Sequence, residues 1–258
     1  MKVNDSPAAS PIAATRFVVL ASERTGSNLL VELLHSSGAC LSAGELLNRW
    51  VESGLQPWTR TLGADLAGWL ELRRQDPRAF LDDFFSRAEG LGKCAIGFKL
   101  MHGHAEQHPS ARDYLVGQRD LRVIHLGRRN LLRRLLSHKR AIETKTWLHR
   151  PGSSVPQLPA ISLPKAEVWA DFERQEALRA HYASLFCEHP TLELWYEDLA
   201  LDPIATARGV LQFLGVKKTQ VGEARHQKTG LDPLREAILN YDELKAGVPE
   251  RWAAFFEE

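Results

Sequence analysis

After Glu23, the residues Arg24, Thr25, Gly26, Ser27 and Asn28 bring a fixed positive charge, two hydroxyls, an amide and a glycine into one short run. Those groups suit an anion. Arginine offers a planar charged donor, Ser, Thr and Asn add side-chain donors, and glycine lets the backbone approach closely. The lysine-bearing GxxxxGK[ST] pattern of nucleotide hydrolases is absent, so the run is P-loop-like without being a Walker motif. The same residues also fit a tight strand-to-helix turn in which Ser27 or Asn28 caps the exposed first-turn N–H groups.

A second basic run, HLGRRNLLRRLLSHKRA at positions 125–141, carries Ser137 eight residues after Arg129. With Arg129 just ahead of a helix, its long side chain folds along the first turns, at about 1.5 Å per residue, toward the Ser137 hydroxyl. Together they would clamp one phosphate. Arg133, Arg134, Lys139, Arg140 and Lys145 make this helix basic. A solvated face with one or two ligands is a more economical reading than a nucleic-acid track, because net charge is +1 and no nucleic-acid motif is present. His102, His104 and His108, with Glu106 between them, form a third cluster. Imidazoles so closely spaced can converge on a metal, which would make a metal-dependent hydrolase; solvated loop histidines are the plainer alternative. A nucleotide kinase would keep the phosphate turn and change the donor.

The elements that position these residues follow from periodicity. Residues 16–22 (RFVVLAS) are short, apolar and β-branched, as a buried parallel strand requires, and Leu29, Leu30, Leu33 and Leu34 continue at helical spacing. Residues 50–89 are helical in pattern, with a break at Asp76-Pro77 and stripes that include Leu66, Leu70, Phe80, Leu81, Phe84 and Phe85. Trp50, Trp58 and Trp69 lie here, and Trp147, Trp169, Trp195 and Trp252 are expected in or near the core. Residues 94–100 and 121–126 read as further strands, 130–149 as a helix, 165–188 as a helix, 192–196 as a strand and 203–214 as a helix. Four prolines make residues 151–164 an extended loop, a lid or acceptor-contacting segment or a linker. Strands alternating with helices predict an α/β fold: one doubly wound domain over residues 16–258, with a central parallel sheet, a P-loop-like phosphate turn and a helical insertion. Residues 1–15 are expected to be a disordered lead.

Composition sets the class. The 258 residues are 44% hydrophobic and 25% charged, an ordinary globular balance with no bias toward nucleic acid or an anionic membrane. Cys40, Cys94 and Cys187 are odd in number and far apart, so neither a disulfide framework nor a thiolate zinc site is indicated, and a reducing compartment fits. With no signal-peptide h-region and no apolar run of membrane length, a cytoplasmic location is expected.

RTGSNLL and RNLLRRLLS resemble the two cofactor motifs of the sulfotransferases that use 3′-phosphoadenosine-5′-phosphosulfate (PAPS). SAGELLN at positions 42–48 brings the resemblance toward bacterial carbohydrate sulfotransferases of the nodulation-factor and trehalose type, and Glu23 departs from it where the family often has proline. The resemblance implies that Arg24, Thr25, Gly26, Ser27 and Asn28 hold the 5′-phosphosulfate, and that Arg129 and Ser137 grip the 3′-phosphate. Lys228, in Lys228-Thr229-Gly230, looks like a late segment that closes over the nucleotide. It implies Glu45 as the base for the acceptor hydroxyl, against the plainer reading of a first-turn helix carboxylate. Lys99 and His102 resemble a Lys and His that cytosolic members keep two apart; here they are three apart, leaving His102 as a rival base and Lys99, with Arg24, to stabilise charge on the moving group. PAPS would be the co-substrate, no metal is required, and the acceptor would be a small molecule or glycan.

Overall fold

The computed structural model describes residues 13–50, 52, 54–147, 158–217, 220–222 and 232–257. β1 (Thr15–Ala21) leads into α1 (Ser27–Ser36) and then β2 (Cys40–Ala43). Three helices follow, α2 (Gln56–Leu62), α3 (Leu66–Gln75) and α4 (Pro77–Glu89), before β3 (Ala95–Met101), α5 (His102–Gln107) and α6 (Pro109–Gly117). β4 (Arg122–Gly127), α7 (Leu131–Thr144), α8 (Lys165–Leu185), β5 (Thr191–Trp195), α9 (Tyr196–Leu201) and α10 (Pro203–Phe213) complete the main body, and α11 (Leu234–Ala237) and α12 (Tyr241–Ala246) lie near the C-terminus.

Among the described residues five strands form one parallel sheet in the order β2-β3-β1-β4-β5. Alternation along β1 sends Val18 and Leu20 to one face and Phe17, Val19 and Ala21 to the other. Phe80, Leu81, Phe84 and Phe85 of α4 cover the first face, and Leu30, Leu33 and Leu34 of α1 with Val210 and Leu211 of α10 cover the second. The sheet is therefore doubly wound, as expected. Order runs one way from β1 through β3 to β2 and the other way through β4 to β5, so the crevice between the carboxyl ends of β1 and β4 is where such sheets bind ligands.

Several expectations change. β2 was not expected, because Cys40, Leu41, Ser42 and Ala43 carry little β propensity; burial of all four beside β3 makes them a strand. The helical insertion is the layer over one sheet face rather than an appendage. The helix expected over 130–149 ends at Thr144, where Lys145 adopts φ 54, and Trp147 is 47% exposed rather than core. Trp69 is buried and Trp50 exposed.

Residues 1–12 of the expected lead lie outside the described residues, and its last residue, Thr15, already begins β1. Residues 151–157 of the proline-rich loop also lie outside them, whereas Ile161 bridges to Ile238 and the Leu163 N–H donates to Asn240 Oδ1 at 3.0 Å. Among the described residues no helix is long and apolar enough to cross a membrane.

Candidate active site

β1 delivers the run at residues 23–28 to the carboxyl edge of the sheet. The turn is held from within, as the Thr25 hydroxyl donates to the Ser22 carbonyl at 2.8 Å. Gly26, at φ 80, is the N-cap residue of α1, and among the described residues no side chain caps that helix. The expected capping by Ser27 or Asn28 therefore does not occur: Ser27 is the buried first helical residue, and Asn28 Oδ1 accepts from the Lys99 ammonium. A long helix whose first N–H groups lack a side-chain acceptor presents donors and a positive dipole end to an anion. A Cβ on Gly26 would stand 2.6 Å from Tyr196 Cδ2, so glycine is required by space as well as by φ.

Arg24 also has positive φ, 65°, an uncommon conformation for a non-glycine residue. Its guanidinium is fixed, with Nε donating to Ser137 Oγ at 2.9 Å and NH1 to the Trp147 carbonyl at 2.8 Å. Arg128 NH1 donates to the Arg24 carbonyl at 3.2 Å, and the Arg128 guanidinium lies 4.4 Å from the Tyr196 ring centroid. Burial lowers the pKa of both arginines, which remain charged at neutral pH. Arg24, Arg128, Arg133, Ser137, Arg140 and Thr144 line a cleft of about 440 Å³, counting its open mouth. Of its guanidiniums, Arg140 meets a carboxylate, that of Asp232 at 3.0 Å, while Arg24 and Arg128 hydrogen-bond to neutral groups. Arginine side chains dominate the polar lining of the cleft.

The expected Arg129–Ser137 clamp is not formed. Arg129 forks onto Asp198 at 2.8 and 2.7 Å, and its guanidinium lies 5.4 Å from the Trp195 ring centroid. Adjacent residues of extended chain point to opposite sides, so of the Arg128-Arg129 pair only Arg128 faces the Ser137 cleft. In the sequence the Arg128-Arg129 doublet marks this edge of the sheet, and Arg129 is the member eight residues ahead of Ser137. Lys228 lies outside the described residues.

On the other flank, parallel pairing of Ala43 with Phe98 continues as the Lys99 N–H donates to the Gly44 carbonyl at 3.1 Å. This register places Glu45, just beyond β2, beside Lys99 of β3. Lys99 Nζ lies 2.7 Å from Glu45 Oε1, and the Asn48 amide donates to Glu45 Oε2 at 2.6 Å. His104 Nε2 is 3.9 Å from the same Oε2. Burial alone would raise the Glu45 carboxyl; Lys99, Asn48 and His104 outweigh it and hold the group below the usual carboxylate range, ionised at neutral pH. An ionised carboxylate beside the turn at residues 23–28 can accept a proton. Glu23, the departure from the resemblance, sends Oε1 to within 4.0 Å of where a Cβ of Gly103 would stand, at the start of α5.

The three histidines diverge. His102 is 4% exposed, shares a hydrogen bond with Ser22 Oγ at 2.9 Å and stacks on Tyr182 with ring centroids 4.6 Å apart. Burial, aided by His125 and Arg179, pushes it down to about 3, so it is neutral and enclosed, which fits a packing role rather than that of a base. His104 turns toward Glu45, and His108 Nε2 lies 3.1 Å from the Leu47 carbonyl. Among the described residues no group of three His, Cys, Asp or Glu side chains is placed to hold a metal, so the histidine cluster does not form the site that the hydrolase reading needs.

Nodulation protein H of Rhizobium meliloti (strain 1021) is 31% identical over 245 residues, covering 93% of this chain and 94% of the relative. The chain belongs to the nodulation protein H family of sulfotransferases. Nodulation protein H of Rhizobium tropici is likewise 31% identical, over 248 residues, 93% of this chain and 92% of its own. No protein-family model matches. The sulfotransferase domain from the curacin biosynthetic pathway shares the fold, with a TM-score of 0.53 at 16% identity over 91% of this chain and 87% of that one. Membership makes the chain a sulfotransferase, in place of the kinase and metal-hydrolase alternatives.

Proposed function

We propose that this sulfotransferase moves the sulfuryl group of PAPS to a hydroxyl of a carbohydrate or glycolipid. The uncapped start of α1, with Arg24, Thr25, Gly26, Ser27 and Asn28, receives the 5′-phosphosulfate. Ser137, Arg24 and Arg128 receive the 3′-phosphate in the cationic cleft, and Arg129 joins them by leaving Asp198. The acceptor oxygen attacks sulfur in line with the departing phosphate oxygen. Its proton goes to Glu45, the new S–O bond forms, and the old bond's electron pair leaves on the 5′-phosphate. Arg24 and Lys99 oppose the charge that develops on the moving group and the leaving oxygen.

The observation that carries this reading is the pairing of Glu45 with Lys99, whose second partner is Asn28 of the phosphate turn. One hydrogen-bonded cluster thus joins the candidate base to the candidate donor loop. Calorimetric titration with 3′,5′-adenosine bisphosphate, 5′-AMP and ATP tests the donor: binding should depend on the 3′-phosphate, and equal affinity for all three would refute it. Glu45→Gln should slow turnover about 10²- to 10⁴-fold while leaving bisphosphate affinity nearly unchanged. Retained turnover would remove Glu45 from the role of base.

A further inference from the structure

A single buried cation serves two sites. Lys99 is 3% exposed, and its ammonium contacts both the Glu45 carboxylate, at 2.7 Å, and the Asn28 side-chain oxygen. A buried ammonium needs partners, and the two it has among the described residues lie on separate segments, Glu45 just after β2 and Asn28 in α1. Asn28 is the second residue of α1, at the helix start that no side chain caps, so an anion arriving there enters the field of the same ammonium. The other groups facing Glu45 are Asn48 and His104, with Glu23 acting on His104 from the phosphate turn. Lys99 is the one fixed cation among them.

We propose that Lys99 is a positioning residue shared between the donor loop and Glu45, so that the donor's anionic group draws the ammonium from Glu45 and strengthens the base only when the donor is bound. Before the donor arrives, Lys99 holds the carboxylate ionised and oriented but weakly basic. The doubly charged phosphosulfate outcompetes a single carboxylate for the ammonium. Glu45 then faces the acceptor with less of its charge neutralised, and no proton leaves Lys99 at any step. This inference rests on the PAPS reading of the turn.

The test is a pH titration of the Glu45 side-chain carboxyl by ¹³C NMR in the full chain, assigned by loss of its signal in Glu45→Gln, with and without saturating 3′,5′-adenosine bisphosphate. The ligand should move the midpoint upward in the wild type. In Lys99→Met the free protein should already show the raised midpoint, and the ligand should add little. In Asn28→Ala, whose fold does not depend on replacing a buried charge, the free midpoint should fall, because Lys99 is then left to Glu45 alone. Binding with an unmoved or lowered midpoint in the wild type overturns the proposal and leaves the donor reading standing. So does a full ligand-induced shift in Lys99→Met. Failure of the bisphosphate to bind overturns the donor reading first, and this proposal with it.

Discussion

Replacing Gly26 with alanine perturbs the phosphate turn in two separable ways. At φ 80 a residue with a Cβ adopts a left-handed conformation that costs about 1–2 kcal/mol. The added methyl would also stand 2.6 Å from Tyr196 Cδ2, so the ring or the turn must move, at an overpacking cost of about 1–3 kcal/mol. The sum is about 2–5 kcal/mol. For a chain of this length each kcal/mol shifts the midpoint by about 2–4 °C, so Gly26→Ala should melt roughly 10 °C below the wild type. Circular-dichroism melts of the wild type, Gly26→Ala, Tyr196→Ala and the double variant form a cycle. Its coupling should recover about 1–3 kcal/mol, the contact part, and leave the backbone part in place. A wild-type melting temperature in Gly26→Ala, or the same loss with and without the Tyr196 ring, would refute the reasoning.

Arg128→Ala should weaken 3′,5′-adenosine bisphosphate binding about 10- to 100-fold by calorimetry, the worth of hydrogen bonds to a charged group, and more than Arg129→Ala does; the reverse order would mean that Arg129 rather than Arg128 is the main phosphate ligand. His102 links stability to pH. Its folded pKa, about 3, lies below the ordinary 6.5, so the unfolded chain binds the extra proton between those values and stability is lost as pH falls through that window. His102→Gln should therefore remove about 2 kcal/mol of the loss in unfolding free energy between pH 7.5 and pH 5, read by urea denaturation; an unchanged pH dependence would show that His102 is not held neutral.

How much of this was legible in the sequence depends on the range of the interaction. The RFVVLAS strand, the leucines of α1 and the glycine of the turn are local signals, each written in residues that touch one another along the chain. β2 carries no such local signal, because its strand character comes from burial beside β3 rather than from its own side chains. His102 looked exposed for the converse reason: Tyr182 and Ser22, which enclose it, each lie 80 residues away.

The sequence by itself determined the alternation of strands and helices, the anion-binding composition of the turn, and the presence of Glu45, Lys99, Ser137 and a pair of arginines after β4. Tertiary structure decided which of them meet. Lys99 and Asn28 are 71 residues apart and are joined only because β3 pairs beside β1, while Glu45 reaches Lys99 through the register of β2 on β3. That Arg128 rather than Arg129 lines the Ser137 cleft turns on the direction of one side chain as the chain leaves β4, and on whether Asp198 of α9 is near enough to claim the other. Spacing along a chain fixes distance only while one helix or strand continues; beyond that, sheet pairing sets the geometry, and its register depends on burial summed over the whole core.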